Sequence, residues 1–185
     1  MSPVLSVTSL RKTFRIGFFR KAVEAVRDVS FEVHAGETFG LLGPNGAGKT
    51  TSIKMALGLT HPDAGEVRLF GHARTRESLA RLGYAPESPY VYQYLRAPEF
   101  LDLCGRLMGM EPRRRRARIE EMLALFELTG AVDRPIGRFS KGMLQRVGLA
   151  QAFLHDPELL ILDEPMSGLD PIGRKHVREI ILRER

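Results

Sequence analysis

Residues 43–51 read Gly43-Pro44-Asn45-Gly46-Ala47-Gly48-Lys49-Thr50-Thr51, and no other stretch restricts the fold as much. An apolar run, Thr38-Phe39-Gly40-Leu41-Leu42, precedes it and predicts a buried strand. Ser52 to Leu59 follows and predicts a helix. Strand, glycine-rich loop and helix, in that order, form a context in which a backbone can wrap a phosphate. The glycines let successive N–H groups point inward at an anion, and the helix adds the positive end of its dipole. Lys49 can reach the outer phosphates, and the Thr50 hydroxyl can ligate Mg²⁺. A glycine-rich turn with a stray lysine is the alternative; spacing and flanks both favour the phosphate loop.

The 185 residues suffice for one substantial domain, with the 43% hydrophobic and 27% charged content of an ordinary globular chain. A single cysteine, Cys104, excludes an internal disulfide and suits a reducing compartment. Its neighbours Phe100 to Leu103 make it core packing. No apolar run is long enough to span a bilayer, and the N-terminus lacks a signal-peptide layout, so a cytosolic chain is expected. The net charge of +6 owes much to Arg113–Arg116 and Arg118, which Glu120 and Glu121 follow. That run reads as a solvated helix face; a nucleic-acid stripe calls for more basic clusters interleaved with aromatics. No nucleic-acid partner is expected.

Val4 to Leu10 alternates as a half-buried strand does, and Val29, Phe31 and Val33 form a second strand that pairs back on it. Arg15 to Lys21, basic and aromatic, predicts an exposed hairpin tip between them. His34 to Glu37 makes the turn into the run before the phosphate loop, and His61 to Gly65 marks another turn. Glu66–Phe70 and Leu82–Ala85 are short strands, Glu77–Arg81 is helical, and Pro86-Glu87-Ser88-Pro89 breaks the second strand. From Ala97 to Thr129 the periodicity is helical, with Gly109 and Pro112 separating two helices. Gly130 to Arg138 is a loop, Ser140 is the N-cap of a helix over 141–153, and Asp156-Pro157 stops it. Leu159-Leu160-Ile161-Leu162 reads as a buried parallel strand, and the chain from Gly173 is helical.

Four further features bear on chemistry. Asp163-Glu164 stands at the carboxyl end of an apolar strand, where open α/β sheets bind ligands. Asp163 is placed to hold Mg²⁺, directly or through water, and Glu164 to orient and deprotonate a water attacking the γ-phosphate. Phe139-Ser140-Lys141-Gly142-Met143 opens a helix whose free N–H groups suit an anion, although any capped helix looks similar. Asp170 is either a turn former or part of the site. Phe14 either packs in the core or stacks on a base.

Together these segments resemble the ATP-binding-cassette (ABC) ATPases. Gly43–Thr51 looks like their Walker A loop, Leu159–Glu164 like Walker B, and Phe139–Arg146 like the signature motif. Ser167–Asp170 looks like the D-loop, Pro86-Glu87 sits at the Q-loop, and Phe14 at the adenine-stacking aromatic. The resemblance implies an α/β P-loop NTPase over 1–185 with a mostly parallel core sheet, N-terminal antiparallel strands and an inserted helical subdomain at 88–138. It implies ATP and Mg²⁺, with Gly43, Pro44, Asn45, Gly46, Ala47, Gly48, Lys49, Thr50 and Thr51 on the nucleotide. Thr50, Asp163 and Glu87 serve the metal; Glu164 and Lys49 serve catalysis. It also implies a head-to-tail homodimer closing on two ATP molecules, with Ser140 and Gly142 acting in trans on the partner's γ-phosphate. Integral membrane permease subunits would dock near Glu87 and the helical subdomain, holding the chain on the cytoplasmic face of the cell membrane. There Tyr90, Tyr92 and Tyr94 are docking aromatics or loop packing.

Three departures qualify the resemblance. Lys141 stands at the first glycine of the signature and Met143 at its glutamine. Glu87 replaces the Q-loop glutamine; both variants look like the exporter branch with a separate membrane subunit. The family's switch histidine lies beyond the next core strand, whereas this sequence ends at Arg185 and His176 is too early to be it. The expectation is therefore an incomplete domain, without its C-terminal core strands, leaving the sheet open between the Walker A and Walker B strands. A soluble ABC ATPase acting on ribosomes or DNA, and a remnant without catalysis, are the competing readings.

Overall fold

The computed structural model describes residues 2–17 and 21–183. They fall into two compact units, one reaching Leu79 and the other beginning at Ala80.

The first unit is built on a four-stranded antiparallel sheet. Its strands are β1 (Leu5–Ile16), β2 (Lys21–Val33), β3 (Ala64–Leu69) and β4 (His72–Ala73), in the order β2-β1-β3-β4. Leu5 faces Val33 on one side and Leu69 on the other, and all three are buried. The alternation that marks Val4–Leu10 thus becomes the core face of the sheet. Both hairpin strands run further than expected, because pairing continues through Phe14↔Val23 and Arg15↔Ala22. Register shifts between Val7 and Thr13 interrupt the alternation there, and Ser9 has a positive φ of 48°. Of the expected hairpin tip, Phe18, Phe19 and Arg20 lie outside the described residues.

Helix α1 (Lys49–Ala56) follows the glycine-rich loop and buries Ser52, Met55 and Ala56. Its C-terminus is held by Arg74, whose Nη1 donates to Met55 O at 2.8 Å. The run Thr38–Leu42 departs from expectation, since it joins no ladder among the described residues. An all-apolar strand is buried only when neighbours cover it. Here Leu42 is 92% exposed, while Phe39 stacks on Phe31 with ring centroids 5.1 Å apart.

Helix α2 (Arg76–Ala80) spans the junction of the units. In the second unit β5 (Leu82–Ala85) pairs in parallel with β6 (Leu159–Leu162), from Leu82↔Leu159 to Ala85↔Leu162. Parallel pairing among the described residues is confined to these two strands. Helices α3 (Ala97–Leu107), α4 (Pro112–Leu125), α5 (Lys141–Phe153) and α6 (Pro171–Arg183) share one core. Phe126 meets Phe153 edge to face at 5.5 Å within it. The break between α3 and α4 has the expected cause: Gly109 has φ 72°, and Glu111 caps α4 by accepting from Arg114 N at 2.8 Å.

The arginine run is not a solvated face throughout. Arg115 donates to Asp102 at 2.6 Å and to Met110 O at 2.9 Å, which holds the Asp102 carboxyl below its usual range. Arg118 donates to Phe153 O at 2.8 Å and Leu154 O at 3.2 Å, capping α5. Arg146 of α5 returns the contact, donating to Phe126 O and pairing with Glu127 at the end of α4. Each helix therefore supplies the guanidinium that satisfies the other's orphan carbonyls.

Candidate functional site

The first unit holds the phosphate loop. Gly46 and Gly48 have φ of 83° and 88°, the left-handed region that L side chains rarely enter. Gly48 is the N-cap of α1, and a Cβ there would lie 2.3 Å from Ala25 O and 3.0 Å from Val26 Cγ2. So β2 itself seats the loop. The helix has no side-chain cap among the described residues and no acidic residue in its first turn. Its bonds begin with Ser52 N donating to Gly48 O at 2.8 Å, which leaves the amides of Lys49, Thr50 and Thr51 without an intrahelical acceptor. Ala47 N donates to Pro44 O at 3.1 Å and closes the turn that carries Asn45.

Lys49 Nζ donates to Gly43 O at 2.7 Å and Pro44 O at 3.1 Å. An ammonium has three N–H groups, so one remains for a phosphate oxygen while the other two hold the loop's shape. The ring of Phe14 is 37% exposed and lies 5.6 Å from Lys12 Nζ, so it is not core. Asp63 steadies this stretch by accepting from Lys12 Nζ at 2.8 Å and Thr13 N at 2.7 Å. The Lys12 bond, then the Thr13 bond, hold its carboxyl below the usual range.

The second unit holds the carboxylates and the signature-like helix. Asp163 N donates to Ala85 O at 2.9 Å, extending the β5–β6 pairing by one residue. Asp163 is 4% exposed at the carboxyl end of β6, and Glu87 follows the carboxyl end of β5, exposed. The two acids thus leave the same end of a parallel pair. The phenol of Tyr84 has a raised pKa, chiefly from burial and secondarily from the negative charge of Asp163. Glu164 is exposed with φ 51°, unusual for a residue bearing a Cβ. Its carbonyl accepts from Ser167 N at 2.9 Å.

No group of three or more His, Cys, Asp or Glu side chains among the described residues is arranged to hold a metal. Mg²⁺ is commonly held by one or two carboxylates together with substrate phosphates. Taken separately, the Thr50 hydroxyl in the first unit and the buried Asp163 carboxylate in the second are each oxygen donors of the hardness that Mg²⁺ takes.

Ser140 caps α5, its Oγ accepting from Met143 N at 3.2 Å. A Cβ on Gly142 would lie 3.1 Å from Gly168 O, so this turn packs on the Ser167–Asp170 loop. The choice left open for Asp170 resolves toward the turn: its Oδ1 accepts from Gly173 N at 2.9 Å at the start of α6. His176 donates from Nε2 to Leu125 O at 2.8 Å, a tie between helices. Cys104 is half-buried, and burial pushes its thiol up to about 11, as core packing requires. Tyr90, Tyr92 and Tyr94 are exposed rather than packed into the loop. Beside them Pro89, Tyr90, Tyr92, Ile136 and Leu144 line part of an open cavity of about 470 Å³.

Gln145 lies within the signature-like stretch Phe139–Arg146, where the motif assigns it no role of its own. It is 2% exposed, and its Nε2 donates to Pro165 O at 3.3 Å, immediately after Glu164. Its signal was present: a polar residue at helical spacing from the buried Leu149 and Ala152 needs a partner inside.

The chain is 49% identical over 183 residues to an uncharacterised ABC transporter ATP-binding protein, all4389, of Nostoc sp., covering 97% of this chain and 55% of that protein. It is 44% identical over 152 residues to Nod factor export ATP-binding protein I of Burkholderia lata, covering 80% of this chain and 50% of that one. The chain spans about half the length of the curated relatives it matches. A solved ATP-binding subunit of an ABC transporter superposes with a TM-score of 0.84 at 33% identity, over 98% of this chain and 74% of that one. The family model for the ABC transporter matches residues 26–167. The chain belongs to the ABC transporter family.

Proposed function

We propose that this chain binds and hydrolyses ATP as the energy-supplying subunit of an export system whose substrate path lies in separate membrane subunits. The observation that carries the proposal is the phosphate loop: left-handed glycines, an uncapped helix start and Lys49 in one turn of chain. The export assignment draws on the likeness to the Nod factor export ATP-binding protein. No helix among the described residues is long and apolar enough to cross a membrane.

In this reading the amides from Gly43 to Thr51 and the Lys49 ammonium hold the phosphates, and Phe14 stacks on the adenine. The Thr50 hydroxyl, Asp163 and Glu87 hold Mg²⁺, which neutralises phosphate charge when bound. Glu164 accepts a proton from the water that attacks the γ-phosphorus, and the β–γ bridging oxygen leaves with the ADP. Ser140 and Gly142 meet the γ-phosphate bound by a second copy of the chain. The segment 88–138, with its exposed tyrosines, forms the docking face for the membrane subunits.

The test is ATP turnover by the full-length protein in membranes that also carry a co-expressed integral subunit. Glu164→Gln is expected to retain ATP binding and to lower turnover by about a hundredfold or more, the scale of general-base loss. Turnover at the normal rate in that variant contradicts the assignment.

A further inference from the structure

Three backbone contacts surround Glu164. Asp163 N is held by Ala85 O, and Glu164 O accepts from Ser167 N. The third is the Gln145 amide on the carbonyl of Pro165. The φ of 51° at Glu164 is one that a residue with a Cβ leaves when nothing holds it. The proline ring fixes φ of the next residue, so rotation of the Pro165 carbonyl is the freedom that remains there. Gln145 removes it. An apolar side chain would pack in the same buried place with no hydrogen-bonding requirement, so the amide there is accounted for by the carbonyl it satisfies.

We infer that Gln145 is a positioning residue for Glu164, tying the start of α5 to the backbone that aims the general base. The inference rests on the reading of Glu164 as that base. It gives α5 two connections: Ser140 and Gly142 at its exposed start, and Gln145 one turn further in, facing the base of its own chain. A shift of α5 along its axis therefore reaches the Glu164 backbone directly.

The test is a double-mutant cycle on the full-length protein, with ATP affinity, turnover and melting temperature measured for each variant. Gln145→Met keeps the volume and removes the donor. It is expected to lower kcat about ten- to a hundredfold, as a small misplacement of a catalytic group does, with ATP affinity unchanged. In a Glu164→Gln background the same change is expected to cost nothing further, because the group it positions is gone. Gln145→Asn retains the amide but falls one methylene short, and the same loss of kcat is expected; it serves where the methionine variant does not fold. A normal kcat in either folded variant, beside a large loss in Glu164→Gln, overturns the inference and leaves the proposed function standing. An equal loss in both backgrounds overturns it too, since Gln145 would then act elsewhere. A normal rate in Glu164→Gln removes the base assignment and the inference together.

Discussion

Gly48 is fixed by two independent constraints. Its φ of 88° excludes most side chains, and Ala25 O occupies the space that a Cβ would need. Gly48→Ala is expected to cost about 1–3 kcal/mol in a denaturant titration, because strain and overlap both oppose it. A variant as stable as the parent would show that β2 does not seat the loop. The left-handed loop glycines and the place of Asp163-Glu164 at a strand end were readable from the sequence, because glycine spacing and an apolar run ending in acids mark such positions. The Lys49 bonds to Gly43 O and Pro44 O were not, since they depend on how the loop folds back on itself. Nor was the positive φ at Glu164, which nothing in a glutamate announces.

At the scale of elements, helix α5 shows how local signals succeed and fail. Its limits matched expectation because Ser140 caps one end and Asp156-Pro157 stops the other. The arginines of α4 did not, because a charge run reads as solvated until the neighbouring helix end is known. Arg115 and Arg118 point inward to carbonyls that only tertiary packing supplies. The far end of β1 was also illegible, since exposed cross-strand pairs carry no alternation.

His155, just past α5, gives this region a pH dependence. Its Nε2 is buried without a hydrogen-bond partner among the described residues. Burial, then the charges of Arg114 and Arg118, depress its pKa below 6.5; the Leu82 backbone and Asp156 oppose them. Below its ordinary pKa the unfolded chain takes up a proton that the folded chain resists. Stability is therefore expected to fall as pH drops below about 6.5, and to level off once the folded form is protonated as well. Urea midpoints measured against pH should show this fall, and His155→Leu should flatten it; a parent-like slope in that variant assigns the titration elsewhere.

Across the whole molecule, the class of fold was legible because its motifs occur in order along the chain. The pairing of Thr38–Leu42 was not, because an apolar run states that it can be covered and not by what. In the structure it lies outside both sheets, with Leu42 in solvent. The phosphate loop belongs to the first unit, and the acids and signature-like helix belong to the second. The phosphate loop is the part on which every proposed step depends. The most direct measurement is a calorimetric titration of the full-length protein with Mg-ATP and with adenosine, on the parent and on Lys49→Ala. Loss of one charged hydrogen-bonding group is expected to weaken Mg-ATP binding by about ten- to a hundredfold or more, while adenosine binding stays unchanged. Equal Mg-ATP affinity in the two proteins would contradict the account.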